Sequence, residues 1–431
     1  MPVWPRSRYL AGSITAVMLL AGCTTAGTPA PQSPAPATSA VPGAEPAGLV
    51  PVTVAVPDGL NQRPFDTARQ ALVPPGWTLS VWARVPKARL AAWTPDGRLL
   101  VSLPSTGQVL MVQPHGSTPL LDGLTQPHGL AFAGSSLLVA ESDRITAYDY
   151  RDGGATGPRP IATGLPDARS PDLRGAYSHA LKSVTSGPDG AVYFSIGSTG
   201  NISARDRDAE PPRATIMRVP PGGGPAEPFA TGVRNGTGLA TAPDGSIWAA
   251  VNNRDNIADP ATGQVRPEYV AENPPEAVAR LTAGRELGWP FCHPVGGPAD
   301  APFIRDVQTN PDGQALDCAA LPPVEQTIGA HSAPLGMSFT DGALPAPYTS
   351  GALLGVHGSW NRQPPRAPEV SFLPWRDGTL GAAQTLIGGF QSDDGSRWGR
   401  PVSAVTGPDG AVYVTDDYAD AVYRLAPPGL R

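Results

Sequence analysis

The residues best suited to chemistry in this chain lie in short polar strings beside apolar runs. Six histidines are present, but no HxH, HExxH or Cys/His cluster with zinc-ligand spacing appears. A GxSxG turn and a GxGxxG after a strand are also absent, which disfavours serine-hydrolase and nicotinamide chemistry. The remaining candidates combine His, Arg, Asn and Trp, at 178–179, 233–235, 252–256, 331–332, 357–362 and 397–400.

Each string taken alone suits an ordinary structural role, such as a packed His, a surface Arg-Asn turn or a Trp covering a flap. Their joint position is more informative, because four of them occur at the same phase of a repeating unit. Strings at one phase converge on one end of a repeat architecture. A site that combines one His, several Arg and many amides suits a polyanionic ligand.

The elements that must position these strings are pairs of apolar strands joined by Pro-Asp-Gly. Pro fixes φ at the first corner of the turn and Gly accepts positive φ, so the unit predicts a hairpin. It recurs at 95–97, 188–190, 243–245 and 408–410, with variants at 134–136 and 347–354.

Six such hairpins, separated by long polar insertions, predict an all-β fold, a six-bladed β-propeller. Pro-Asp-Gly at 311–313 lacks flanking apolar strands and is interpreted as a loop turn. One short helix is expected at 275–281.

Composition agrees with a fold of many short strands and turns. Charged residues are 16% of the chain, Gly and Pro number 50 and 53, and 40% apolar residues with nine Trp argue against disorder. The net charge is −6 without a basic cluster, which disfavours nucleic acid as a partner.

The N-terminus has the features of a targeting segment. Arg6 and Arg8 precede an apolar run at 9–20 that is too short to span a bilayer, and Leu-Ala-Gly-Cys at 20–23 looks like a bacterial lipoprotein cleavage box. We therefore expect a lipoprotein signal peptide at 1–22, then lipidated Cys23 with a disordered Pro/Ala/Thr-rich linker to 57, and the propeller at 58–431. The lipid anchor would be the membrane attachment of an exported protein, on the periplasmic face of the outer membrane or the cell surface.

Two cysteines remain once Cys23 is lipidated. In an oxidising compartment Cys292 and Cys318 could form a disulfide, and the alternative is two separate buried thiols. Metal ligation by this pair has little support, since neither cysteine has a CxxC or CxxH spacing.

Several of these strings together resemble a known family over residues 76–426. The chain is similar to the soluble quinoprotein sugar dehydrogenases, specifically to their sorbosone dehydrogenase-like branch. The resemblance implies pyrroloquinoline quinone (PQQ) beside a Ca²⁺ ion, oxidation of a sugar or sugar aldehyde (an aldose or a sorbosone-like compound), and an external electron acceptor. The motifs that carry it lie at 178–179, 188–197, 232–235, 287–294, 331–336, 357–362 and 398–402.

The resemblance also implies roles for individual residues. His179 matches the general base that takes the substrate's hydroxyl proton, and Arg234 matches the residue that hydrogen-bonds the quinone oxygen. The main-chain carbonyls expected to bind Ca²⁺ are those of Asn253 and Arg254. The expected cofactor contacts are Asn235, Trp360, Arg362 and Arg400.

Three departures from the family pattern bear on these expectations. A lysine expected on a cofactor carboxylate is missing, and Trp360 and Arg362 are the candidates to replace it. The segment 274–279 lacks an acid and an Asn, with Ala277 and Ala279 present instead, and Val402 stands where an arginine is expected. Weaker cofactor binding than in glucose-oxidising relatives is the expected consequence.

Two other functions remain open on the same architecture. A cofactor-free carbohydrate- or partner-binding propeller lipoprotein is favoured by Ala277, Ala279 and Val402. The intact His179, Arg234 and Arg400 oppose it. A Ca²⁺-dependent lactonase would use side chains such as those at 252–256, but central carboxylates from other blades are not evident.

Overall fold

Six antiparallel sheets are arranged as the blades of a propeller in the computed structural model, which describes residues 48–114, 116–340, 342–392 and 394–430. The predicted six-bladed β-propeller is confirmed. The predicted signal peptide and Cys23 lie outside the described residues. Residues 48–57, assigned by the sequence to the linker, include the strand Val50–Thr53, which pairs with Gln70–Val73.

The blades are numbered here in chain order, with the innermost strand first. Blade 1 contains Ala91–Trp93, Leu99–Leu103, Gln108–Gln113 and Gly116–Leu121. Blade 2 contains Gly129–Ala133, Ser136–Ala140, Arg144–Arg151 and Gly154–Thr163. Blade 3 contains Val184–Ser186, Val192–Ile196, Thr215–Val219 and Glu227–Thr231, with Arg285–Glu286 added in parallel.

The second half of the ring has longer insertions. Blade 4 contains Gly238–Thr241, Ile247–Val251, Glu276–Leu281, Val324–Ile328 and Ala299–Ala301. Blade 5 contains Pro334–Phe339, Gly351–Val356, Glu369–Arg376, Gln384–Ile387 and Thr379–Leu380. Blade 6 contains Pro401–Thr406, Val412–Asp416, Ala421–Ala426 and, from the N-terminal side of the chain, Thr78–Arg84.

The remaining elements are short. They are the strand pair Cys292–Pro294 and Phe303–Arg305, the α-helix Pro267–Glu272, and the 3₁₀ turns Ala204–Asp206 and Cys318–Ala320. Among the described residues, none of the helices has the length and apolar character needed to span a bilayer.

Each predicted hairpin forms the two innermost strands of one blade. The glycines of the four Pro-Asp-Gly turns have φ between 77° and 84°, at Gly97, Gly190, Gly245 and Gly410. In three of these turns the central aspartate accepts a backbone N–H from two residues on, as Asp189 does from Ala191 at 3.0 Å. The turn at 311–313 lies in a loop, as expected.

Neighbouring blades are joined near the axis by side-chain hydroxyls that donate to main-chain carbonyls of the next blade. One such bond crosses each of the six interfaces, with lengths from 2.6 to 3.1 Å. The donors and acceptors are Ser102 to His128, Ser186 to Phe132, Ser183 to Thr237, Thr237 to Pro334, Ser338 to Ala404, and Thr415 to Arg89.

The innermost strands approach so closely that some positions require glycine. A Cβ on Gly129 would lie 2.7 Å from the backbone nitrogen of Val184, and one on Gly336 would lie 2.7 Å from Cβ of Ser403. Both distances are far below ordinary contact. The channel side of the ring is therefore specified by small residues together with Ser and Thr.

The helix expected at 275–281 is wrong. Glu276–Leu281 is the third strand of blade 4, paired on one side with Ile247–Val251 and on the other with Val324–Ile328. Ala277, Ala279 and Leu281 share one core cluster while Val278 packs in another, so both faces are buried. Burial on both sides overrides the helical propensity of Ala and Glu. The described helix lies just before it, at Pro267–Glu272.

The long insertion of blade 4 is closed by a disulfide between Cys292 and Cys318, whose Cα atoms lie 5.7 Å apart. Cys292 begins one strand of the pair with Phe303–Arg305, and Cys318 begins the 3₁₀ turn. Both cysteines are buried in the same apolar cluster.

Packing between blades 4 and 5 depends on Trp248, which is fully buried and meets Trp375 edge to face at a centroid distance of 5.8 Å. We predict that Trp248→Ala lowers the free energy of unfolding by about 3–5 kcal/mol, because it removes a large side chain from a site that cannot collapse. Urea unfolding followed by circular dichroism measures this change. Tyr418→Ala, at a 52% exposed position, is the control and should change it by less than about 0.5 kcal/mol. Equal effects of the two substitutions on the free energy of unfolding would contradict the role of Trp248 in packing blades 4 and 5 together.

Candidate functional site

A polar cavity of about 180 Å³ lies where loops from blades 3, 4 and 5 meet. Both predicted catalytic residues, His179 and Arg234, are in its wall. Most of the lining is polar, and it comprises His179, Arg234, Asn235, Asn252, Asn253, Asp255, Glu276, His331, Ala333, Gly358 and Trp360.

His179 is held in one tautomer by Ser198. Its Nδ1 lies 3.1 Å from the carbonyl oxygen of Ser198 and 2.9 Å from the Ser198 hydroxyl oxygen. A carbonyl only accepts, and the hydroxyl itself donates to Gly200 at 2.8 Å, so the proton is on Nδ1. Nε2 is left as the basic nitrogen. Burial, together with the charge of Arg234, lowers the pKa of His179 to about 3, so the ring is neutral at physiological pH.

Arg234 is 5% exposed and its guanidinium is bound almost entirely by the chain itself. Nη1 donates to the carbonyls of Asn252 and Asn253 at 3.2 and 2.8 Å. Nη2 donates to the Asn201 side chain at 3.1 Å and lies 3.7 Å from an Asp255 carboxylate oxygen. The positive charge is thus fixed in position beside the His179 ring.

His331 and Asp255 also line the cavity and lie within ion-pair distance of each other. Nε2 of His331 donates to the Val270 carbonyl at 2.6 Å and Nδ1 lies 3.3 Å from Asp255 Oδ1. Burial opposes the charge, but these two acceptors raise the pKa of His331 above its ordinary value, which favours the imidazolium form. Its φ of 59° and that of Ala333, 52°, lie in the left-handed region. Such strained backbone concentrates at functional sites.

Glu276 supports the loop that carries the predicted calcium ligands. Its carboxylate accepts the backbone N–H of Asn253 at 2.5 Å and that of Ala333 at 3.3 Å. Burial raises the pKa of this carboxyl to about 7. The departures at Ala277 and Ala279 do not reach the cavity, because both side chains pack in the apolar core behind it. The acid that this segment does contain lies in the site.

Arg254 anchors the same loop from behind. Its side chain is 3% exposed and forms a 2.5 Å ion pair with Asp306 of the disulfide-closed insertion, with a further bond of 2.8 Å to Gln308. The predicted metal ligand is the main-chain carbonyl of Arg254, and the side chain points away from the cavity wall.

Arg400 belongs to a partly buried chain of hydrogen-bonded ionic and neutral groups that extends from blade 6 to blade 1. Its Nη2 donates to Nδ1 of His357 at 2.7 Å, and Nε2 of His357 donates to Asp417 at 2.9 Å. The other oxygen of Asp417 accepts from Arg89 at 2.7 Å. Burial lowers the pKa of His357 to about 4 and keeps the ring neutral, so two guanidinium groups share one carboxylate.

Two of the predicted cofactor contacts differ in their placement. Trp360 stands at the rim of the cavity with 75% of its surface exposed. Arg362 instead turns towards the helix, where Nη2 donates to Glu272 at 2.8 Å. Neither Arg362 nor Arg400 is among the lining residues, and the roles of both in cofactor binding stay predictions. Val402 is fully buried with Leu90 and Leu335.

A larger cavity, of about 660 Å³, opens between the outer strands of blades 2 and 3. Pro160, Pro211, Pro212 and Pro228 are among its lining residues. Its arginine, Arg207, is paired with Glu286 at 2.5 Å. The described residues that line this cavity include no histidine, and we assign the site to the smaller cavity on chemical grounds.

The sequence pattern marked the strings at 252–256 and 331–332 but gave no role to Asp255 or His331. It also left Glu276, Ser198 and Arg89 unmarked. The signal for Ser198 was its place just after Val192–Ile196, the second strand of the hairpin that follows His179. Nothing local marked Arg89, because its contacts, with Asp417 and His128, are made across blades.

Comparison with known proteins agrees with this fold. A family model described as TrAA12-like matches residues 73–427, and the chain belongs to this family. It is 27% identical over 347 residues to the pyrroloquinoline quinone-dependent pyranose dehydrogenase of Coprinopsis cinerea. That match covers 68% of this chain but 45% of the fungal protein, so the chain spans less than half of that relative. An uncharacterised protein of Borreliella burgdorferi is 24% identical over 383 residues, 82% of this chain and 90% of that one.

Solved structures show the same architecture. The holo PQQ domain of the Coprinopsis cinerea pyranose dehydrogenase superposes with a TM-score of 0.70 at 22% identity, over 86% of this chain and 100% of that domain. The calcium structure of a Trichoderma reesei family AA12 enzyme gives 0.66 at 17% identity, over 82% and 96%. At these identities the likeness establishes the fold.

The contact between His331 and Asp255 generates a prediction about protonation. Asp255→Asn should lower the pKa of His331, because the imidazolium loses the carboxylate that stabilises its charge. At a fixed pH near neutrality, the fraction of protonated His331 would fall. Histidine-selective NMR titration measures this pKa. Asp189→Asn, on the blade 3 turn, is the control and should leave it unchanged. A His331 pKa that does not respond to Asp255→Asn would contradict the pairing.

Proposed function

We propose that this protein is a PQQ- and calcium-dependent dehydrogenase that oxidises a sugar or a sugar aldehyde and passes the electrons to an external acceptor. The observation that carries the proposal is the cavity that both His179, with its basic Nε2, and the buried Arg234 line. A base beside a fixed positive charge suits removal of a hydroxyl proton with stabilisation of the negative charge that develops.

The groups around the cavity fit an anionic, planar cofactor. Arg234 offers positive charge in the cavity lining, and Trp360 offers an exposed aromatic face. Arg400 is not among the lining residues but is a second guanidinium that we propose for a cofactor carboxylate. Asn361 donates from Nδ2 to Asp255, while its buried Oδ1 has no partner among the described residues. That oxygen is available to a donor group or a cation.

The donor set also fits a hard cation, because it is made of oxygen. Carbonyls of Asn252 and Asn253 and the carboxylates of Asp255 and Glu276 belong to cavity-lining residues, and oxygen ligands are those that Ca²⁺ prefers. Among the described residues no three His, Cys, Asp or Glu side chains form a metal-binding cluster. The ligands that we propose are the main-chain carbonyls of Asn253 and Arg254, which the family resemblance implies.

In the proposed mechanism each residue has a separate task. Bound PQQ supplies the two-electron acceptor. His179 takes the proton of the sugar hydroxyl at Nε2, since Ser198 holds the proton of the ring on Nδ1. Arg234 keeps a positive charge next to the reacting groups. Asp255, His331 and Glu276 hold the loop at 252–256 against Arg234, so the base and the guanidinium stay in fixed relation.

The substrate we propose is an aldose or a sugar aldehyde such as sorbosone, as its hydrate. The support is the resemblance of the motifs at 331–336 and 357–362 and the pyranose dehydrogenase among the relatives. Export and lipid anchoring through Cys23 belong to the same proposal.

Reconstitution of the purified chain with PQQ and Ca²⁺ tests the function. We expect cofactor-dependent dye reduction with one or more aldoses or sugar aldehydes. His179→Ala should lower turnover by at least about 100-fold, because the general base is lost, while quinone binding persists. The control is His293→Ala, at a buried histidine outside the cavity lining. Failure of the quinone to bind at micromolar concentration would leave the cofactor-free binding propeller as the better function.

Arg400 provides a test of the cofactor contacts. Replacing it by Met removes a charge-assisted hydrogen bond to a cofactor carboxylate, so the dissociation constant of PQQ should rise about tenfold to 100-fold. Calorimetric titration measures the affinity. Arg159→Met, a half-exposed arginine paired with Asp149 on the outer strand of blade 2, is the matched control. Equal affinity of Arg400→Met and the wild type would exclude Arg400 from the cofactor site.

A further inference from the structure

Lys182 is a buried cation that the site described above does not use. Of the 31 Lys and Arg residues, only Lys87 and Lys182 are lysines. Lys182 is 0% exposed and directly precedes the innermost part of blade 3. A fully buried ammonium is costly unless every N–H is satisfied, so its retention calls for a physical reason.

Every donor of this ammonium is satisfied by main-chain oxygen. Nζ donates to the carbonyls of Ser142, Pro166 and Ala180 at 2.5, 2.8 and 2.9 Å. The ring of Tyr177 lies on another side, with its centroid 5.5 Å from Nζ. Three carbonyls converging on a point suit an ammonium with its three N–H bonds, whereas a planar guanidinium presents its donors as a fork. This geometry accounts for a lysine at position 182 in a chain whose other basic residues, apart from Lys87, are arginines.

Burial lowers the pKa of Lys182 to about 7, while the carboxylates of Asp167 and Asp143 act in the opposite direction. Neither carboxylate is hydrogen-bonded to Nζ. The ammonium is therefore bound by main-chain carbonyls and not by a carboxylate.

The carbonyl of Ala180 connects this cation to His179, its direct neighbour in the chain. On the other side of His179, the N–H of Ser178 donates to the Thr199 carbonyl at 3.0 Å. The His179 ring itself is bound to Ser198. The backbone on both sides of the proposed base is therefore fixed, on one side by blade 3 and on the other by Lys182.

We propose that Lys182 is a positioning residue for His179. Its ammonium ties the Ala180 carbonyl to blade 2 through Ser142 and Pro166, and so directs the His179 ring into the cavity. This inference rests on the proposed function of His179 as the base. It predicts that loss of the ammonium displaces the ring and weakens its bond to Ser198.

The test uses two substitutions of the full chain, Lys182→Met, which keeps the length but removes the charge, and Lys182→Arg, which keeps the charge in the wrong geometry. Lys87→Met is the control, since the Lys87 side chain is 62% exposed. The ¹⁵N and ¹H signals of His179 are recorded in the cofactor-free protein, and PQQ affinity, kcat and KM are then measured in the reconstituted enzyme.

Both Lys182 variants should lose the hydrogen-bonded Nδ1–H signal of His179. Their kcat should fall about tenfold to 100-fold, because displacement of a catalytic group by about 1 Å has effects of this size. PQQ affinity should change less than threefold in both. In a third variant, Lys182→Ala, added methylammonium should partly restore the His179 signal, because it can occupy the place of the lost ammonium.

Unchanged His179 signals in a folded Lys182→Met protein would overturn the proposal. Unfolding of both variants would also overturn it, because Lys182 would then serve the fold as a whole. If the wild type neither binds PQQ nor oxidises a sugar, the proposed function fails. The NMR result still reports separately whether Lys182 positions His179.

Discussion

The structure depends on the hydrogen bonds by which Ser and Thr hydroxyls of one blade reach carbonyls of the next. Innermost strands near a propeller axis are too close for large side chains, as the short contacts that a Cβ at Gly129 or Gly336 would make indicate. A hydroxyl satisfies a carbonyl in that confined space and excludes water from it. Because one such bond crosses every interface, the six blades are fixed relative to one another, and the final pairing of Thr78–Arg84 with Ala421–Ala426 closes the ring.

A ring fixed in this way can support loops that hold charge at a defined place. The cavity residues come from three blades, and several are bound by a partner on another element: His179 by Ser198, Arg234 by the carbonyls of Asn252 and Asn253, and His331 by Val270. The buried charges of the site are paired or hydrogen-bonded, which offsets their desolvation. His179 and His331 illustrate the result, since two imidazoles beside one cavity have pKa shifts of opposite direction.

The structure shows the contacts made at the positions that depart from the family pattern. The segment 274–279 lacks one acid and one Asn of the family pattern but contains Glu276. The carboxylate of Glu276 accepts the backbone N–H groups of Asn253 and Ala333. Val402, where an arginine was expected, is enclosed by Leu90 and Leu335. On the same side of the ring Arg89 contributes a second guanidinium beside Arg400, through Asp417 and His357. Arg89 of blade 1 is thus linked to Arg400 by contacts that the sequence pattern did not indicate.

The sequence by itself determined the blade count and singled out His179 and Arg234, which the structure brings into one cavity. Hairpin signals are local, because a Pro-Asp-Gly turn between apolar strands is decided by the φ preferences of adjacent residues. The motifs that contain His179 and Arg234 are also local, since each consists of consecutive residues. Only the tertiary structure decided that 276–281 is a strand, since burial on both faces outweighs local propensity. Only it placed Ser198, Glu276, Arg89 and Lys182, whose hydrogen bonds join residues far apart in the chain or on different blades. Such contacts depend on how the blades are arranged around the axis, and that arrangement leaves no pattern in neighbouring residues.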